Sequence, residues 1–223
     1  MPDAAELLTL HALRLRSLCE VDVVAARFDL DPAVVEQRLA VAADSGFVRY
    51  RAGRLSGWSL TGDGRRHAEA LLAEELAEAG TRGSVEATYV RFLALNGRVL
   101  EVCTDWQVVQ LGGQQVANDH TDADRDAQVL ARFSALHEEA LPVVAELSGA
   151  LDRLDGYTDR LAHAHDRVLA GDHAWLTRPT VDSYHTVWFE LHEDLLATLG
   201  RSRSDERGDG AGRRAGDNAE EFA

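Results

Sequence analysis

Residues 29–72 read DLDPAVVEQRLAVAADSGFVRYRAGRLSGWSLTGDGRRHAEALL, and the apolar periodicity changes twice within them. Asp31 offers a carboxylate to the free amides of a helix start, and Pro32 fits the first helical position, where its missing N–H costs nothing. Val34, Val35, Leu39 and Ala42 then recur at helical spacing, and Gly46 supplies the stop. Phe47 to Arg51 alternates as a strand, with Arg49 and Arg51 on one face. Residues 52–57 make the turn, Trp58 to Leu60 the return strand, and Thr61 opens another helix.

Upstream, Leu7, Leu8, Leu10, Ala12, Leu13 and Leu15 give one helix with a broad apolar face. A short helix follows from Val21 to Phe28, joined to the next by Asp29-Leu30. Downstream, residues 67–200 read almost entirely as helix: near 64–80, 84–103, 123–139, 140–152, 157–170 and 179–199, with Pro142 opening or kinking the 140–152 segment. Gly112-Gly113 and residues 118–120 mark that loop. Residues 201–223 contain almost nothing apolar and are expected to be disordered. The predicted fold is therefore mostly α. A winged helix-turn-helix of three helices plus a two-stranded wing (1–66) precedes an all-α helical domain (67–200) and a tail.

The stretch 29–72 resembles the winged helix of MarR-type bacterial regulators, through the short helix into Leu30, Leu39, the SGFV lead into the wing, and GWSLTGDGR after it. The resemblance covers residues 20–75 and does not extend to the helices beyond. It implies a transcriptional regulator whose third helix enters the major groove of double-stranded DNA while the wing approaches phosphates or the minor groove. Ala33, Glu36, Gln37 and Ala40 are the outward positions of that helix, with Arg38 to one side. Gln37 suits adenine and Glu36 suits cytosine N4. Arg49, Arg51 and Arg54 are the wing contacts. The alternative is a winged helix that docks a protein instead of DNA.

Composition limits the other possibilities. The formal charge is −15, yet nine arginines balance nine acids within residues 1–66, whereas 67–200 hold nine arginines against 23 acids. The acidity thus resides in the helical part, and the first segment is not repelled by a polyanion as a whole. All 23 basic residues are arginine, which excludes P-loop and Schiff-base lysine chemistry. No serine or cysteine stands in a catalytic motif, so no enzyme is expected, and no cofactor. The two cysteines, Cys19 and Cys103, have no metal-ligand spacing. No apolar run reaches the roughly 18 residues of a membrane span, and a cytoplasmic protein is expected.

Two features of the helical part suggest partners. Residues 85–103 carry apolar side chains on two faces, which predicts a central or interface helix and a homodimer. In the last helix, Val181, Tyr184, Trp188, Leu191, Leu195 and Leu199 form a stripe that encloses His185 and His192, with Asp182, Glu190, Glu193 and Asp194 outside it. Inward imidazoles need polar partners. Tyr184, His185, Trp188 and His192 are therefore candidates for a small-molecule effector pocket. Core histidines with fixed partners, or a metal site completed from Asp119 or His120, are the alternatives.

Overall fold

The computed structural model describes residues 3–203; most of the polar tail, 204–223, lies outside the described residues. The chain divides into two compact units, one made of residues up to Glu78 with those from Glu193 onward, the other Ala79–His192.

In the N-terminal unit, α1 (Ala4–Arg16), α2 (Val21–Arg27) and α3 (Pro32–Asp44) precede an antiparallel hairpin, β1 (Val48–Arg51) and β2 (Gly57–Leu60), and then α4 (Gly62–Ala79). Asp3 caps α1 by accepting from the amides of Ala5 and Glu6, and Asp31 caps α3 by accepting from Ala33 at 2.8 Å. The core gathers Leu7, Leu10, Leu13, Val24, Val35, Leu39, Val48 and Leu72, the apolar positions that the periodicity picks out. Burial of each such side chain is worth roughly 1.5–3 kcal/mol. Cys19 adds a third segment beside β2: its amide donates to the Trp58 carbonyl at 3.2 Å, and its carbonyl accepts from the Trp58 amide at 2.8 Å. That approach explains Gly57, where a Cβ would lie 2.9 Å from the Cys19 carbonyl carbon. At Gly64 a Cβ would lie 1.8 Å from the Phe47 carbonyl oxygen. The Thr61 hydroxyl completes the joint, donating to the Gly46 carbonyl at 2.7 Å and accepting from the Gly64 amide at 3.0 Å. Within the GWSLTGDGR segment, Gly57, Thr61 and Gly64 are thus accounted for by close backbone packing.

The second unit is built on α5 (Arg82–Gln107) and α6 (Ala123–Ser148), followed by α7 (Tyr157–Leu169), α8 (Ala174–Thr177) and most of α9 (Tyr184–Leu199). It is not all helix. β3 (Val108–Leu111) and β4 (Gln114–Ala117) form an antiparallel hairpin where the sequence reading has only a loop. Gly112 and Gly113, both with positive φ, make the two-residue turn that matches strand twist. A second correction concerns Pro142, which neither opens nor ends a helix: α6 runs through it. Packing against α5 and the pairs Arg98–Glu139 and Arg91–Glu146, on either side of the proline, hold the helix together. The last helix begins at Tyr184, not near Pro179. Nor are all its acids solvated, since Glu190 and Asp194 are buried against basic partners.

Candidate nucleic-acid interface

The face of α3 opposite the core presents Ala33, Glu36, Gln37 and Ala40 to solvent, with Val41 55% exposed beside them. Val35, Leu39 and Ala42 anchor the other face. Arg38 is half-buried and committed: its guanidinium lies 2.7 Å from Asp3 Oδ2, so the residue proposed for phosphate is held within the protein. Glu36 is the exposed charge on the face, and Asp44 follows one turn beyond Ala40.

The cations stand on the hairpin. Arg49 pairs across with Ser59 and Arg51 with Gly57, so the two arginines share one face, and Arg54 lies in the connecting turn. All three are exposed, and none makes an ion pair or side-chain hydrogen bond with a described residue. Other arginines of this unit are engaged: Arg14 with Glu69, Arg38 with Asp3, Arg66 with Asp63. In the second unit Arg82, Arg91, Arg98, Arg132, Arg160 and Arg167 each hold a carboxylate. Among described residues, only Arg65 and Arg178 are as free as these hairpin arginines.

The hairpin is also fixed in place. Tyr50 and Ser56 both donate to Glu20 Oε1, at 3.1 and 2.6 Å, and the Tyr50 ring meets Trp58 edge-on at 5.3 Å. Glu20 has no local signature, because its partners lie 30 and 36 residues away.

The α9 candidates occupy a packed core. Trp188 stacks on Phe92 at 4.5 Å and donates its indole N–H to Asn96 Oδ1 at 3.0 Å. His192 tilts against Phe92 and Tyr89 at 5.3 and 6.3 Å. Tyr184 is buried, with its hydroxyl 3.4 Å from His137 Nδ1, and burial raises its pKa well above the usual phenol. His185 is only half-buried, and desolvation lowers its pKa. His137, absent from the sequence reading, stacks on His165 at 4.0 Å and 11°. Parallel rings direct their nitrogen lone pairs side by side and do not converge on an ion. Among the described residues no three His, Cys, Asp or Glu side chains are placed to hold a metal. An open cleft of about 520 Å³ lies elsewhere in this unit, lined by Val108, Leu111, Gln115, Asn118, Asp119 and Arg125 among others. Cys19 and Cys103 are unbridged and buried, and burial raises their thiols to about 11 and about 12. Among described residues, no helix is long and apolar enough to cross a membrane.

No protein-family model, curated protein or solved structure matches this chain.

Proposed function

We propose that the N-terminal unit is a winged helix-turn-helix that binds double-stranded DNA, and that the chain is a transcriptional regulator. The observation that supports this reading is the wing: Arg49, Arg51 and Arg54 stand exposed and pair with no described residue, in a chain with 38 acids and 23 arginines. In such a chain most arginines find a carboxylate. Three left bare on one hairpin form a small positive field suited to a polyanion. On α3, Gln37 is suited to adenine, Glu36 to cytosine N4, and Ala33 and Ala40 to thymine methyls. Phosphate anchoring then falls to the wing, and base discrimination to a short, weakly charged helix face.

The test is selection from a random duplex pool, followed by fluorescence anisotropy over a salt series. A defined sequence should emerge, with affinity falling as salt rises. Replacing Arg51 and Arg54 together by alanine should reduce the slope of log K against log salt by about two, roughly one per phosphate contact. Unchanged affinity in that double variant would remove the wing from the interface. The second reading, a protein-docking module, is favoured by the lack of a free cation on the outward face of α3 among the described residues. It requires that no duplex be enriched at physiological salt.

A further inference from the structure

We infer that the outer face of α5 is a homodimer interface, on which a second copy of this chain docks its own α5 antiparallel. The inference goes beyond the DNA reading and does not depend on it. One face of α5 is spent on the core, burying Val85, Tyr89, Phe92, Val99, Cys103 and Trp106. The opposite face carries Ala87, Val90, Leu93, Ala94, Gly97 and Leu100, with Val90 53% and Leu100 45% exposed. Helical spacing lines these six residues up without a charge among them. A solvated helix face in a strongly acidic protein would carry polar residues there.

Gly97 is the second observation. It sits in the middle of a 26-residue helix, where glycine is unfavourable relative to alanine. Among the described residues nothing lies within 4 Å of the position its Cβ would take, so no contact with them requires glycine. A hollow over bare backbone between Val90 and Leu100 accepts a side chain from outside.

Charge selects the occupant. Residues 67–200 hold 23 acids against nine arginines, so two copies that met elsewhere on this acidic segment would bring carboxylates together. The α5 face is uncharged between Glu86 and Glu101, and its flanking Arg91 and Arg98 are neutralised by Glu146 and Glu139. A basic partner would gain nothing from this strip, whereas a like copy meets no charge on it between Glu86 and Glu101. Orientation follows from size and helix dipole. Antiparallel pairing about a two-fold between Leu93 and Ala94 sets Val90 over Gly97 and Leu100 over Ala87, each large residue over a small one. It also opposes the helix dipoles. Its ends set Glu86 opposite Glu101, with Arg82, which pairs with Glu86, facing Asp105. Parallel pairing would set Val90 on Val90 and Gly97 on Gly97, leaving the hollow unfilled. One helix pair lies at the small end of specific interfaces, so dissociation in the micromolar range is expected.

Sedimentation equilibrium of the full chain over about 1–100 µM tests this against the micromolar range expected of a small interface. The wild type should dimerise. Gly97→Glu fills the hollow and sets like charges across the two-fold, and should weaken the dimer at least tenfold without lowering the thermal midpoint of dilute, monomeric protein, because it touches no described residue of its own chain. Ala170→Glu, the same charge at the end of α7, should leave the dimer intact. Ala94→Cys should form a crosslinked dimer on oxidation, since Cys19 and Cys103 are buried. Ala87→Cys should not, because in the antiparallel arrangement its counterpart is about 20 Å away along the helices. A monomer at every concentration overturns the proposal, as does a dimer indifferent to Gly97→Glu. Crosslinking of Ala87→Cys to itself overturns the antiparallel arrangement. A dimer that selects no DNA sequence would leave this interface standing while the DNA reading fell.

Discussion

One oxygen of Glu20 accepts from both Tyr50 and Ser56, and so ties each side of the β1–β2 hairpin to the start of α2. Glu20→Ala and Glu20→Gln both remove an acid near the proposed DNA, but only glutamine keeps an acceptor. The alanine variant should therefore bind several-fold more weakly than the glutamine variant, with the same salt slope, because no cation is lost. Equal affinities would mean that the wing needs no such tie. His137 carries a second residue-scale consequence. Burial, and then the neighbouring His165 ring, pushes its pKa down to about 4, with Asp166 acting in the opposite sense. The folded state thus disfavours the charged ring. Its contribution to stability is complete above pH about 6.5 and is lost as pH falls from there toward 4. Between pH 7.5 and 5 this one residue should cost about 2 kcal/mol, read by urea denaturation at both values. His137→Gln should remove that increment. An unaltered pH dependence in the variant would place the acid sensitivity elsewhere.

Elements with local chemistry were legible in the sequence. Asp31-Pro32 starts α3, Val35 and Leu39 fix its inward face, and the alternation from Val48 gives the strand, so the outward residues Ala33, Glu36, Gln37 and Ala40 followed correctly. What was not legible depends on distant partners. The arginines look alike in sequence, and only the fold separates Arg38, engaged by Asp3, from Arg49, Arg51 and Arg54, which pair with no described residue. Four-residue strands flanking Gly112-Gly113 carry too little alternation to announce a hairpin. Pro142 misled for a related reason, because local propensity says break while packing against α5 continues α6. Pro142 is exposed, so its ring contributes little to the core. Pro142→Ala restores the amide missing from the helix, where interior proline costs about 3 kcal/mol. It should raise stability by about 1–3 kcal/mol in thermal or urea unfolding. Destabilisation would indicate that α6 is shaped around the proline.

At the scale of the molecule, the N-terminal unit is discontinuous in sequence, since the end of α9 from Glu193 belongs to it. The apolar stripe of the last helix was legible, but its division between two cores was not, because an apolar face does not name its partner. Ala197 joins the N-terminal core, and Asp194 meets His11 of α1 at 3.1 Å with both side chains fully buried. Thr198 donates to the same Asp194 oxygen at 3.3 Å. Such a pair contributes little net energy over an apolar replacement, yet breaking it strands a buried charge, at a cost of about 3–5 kcal/mol. Asp194→Ala in the full chain should therefore destabilise the N-terminal unit by about that amount. Trp58 is the tryptophan of this unit, so its resolved fluorine NMR resonance in 5-fluorotryptophan-labelled protein reports the loss separately from Trp106, Trp175 and Trp188. DNA affinity should fall as that unit unfolds, although no residue of the proposed interface has changed. Replacing His11 and Asp194 together by leucine should recover most of the stability, because no buried charge is then left without its partner. If Asp194→Ala leaves the Trp58 transition unmoved, the N-terminal core is complete without the end of α9, and the discontinuity has no energetic weight.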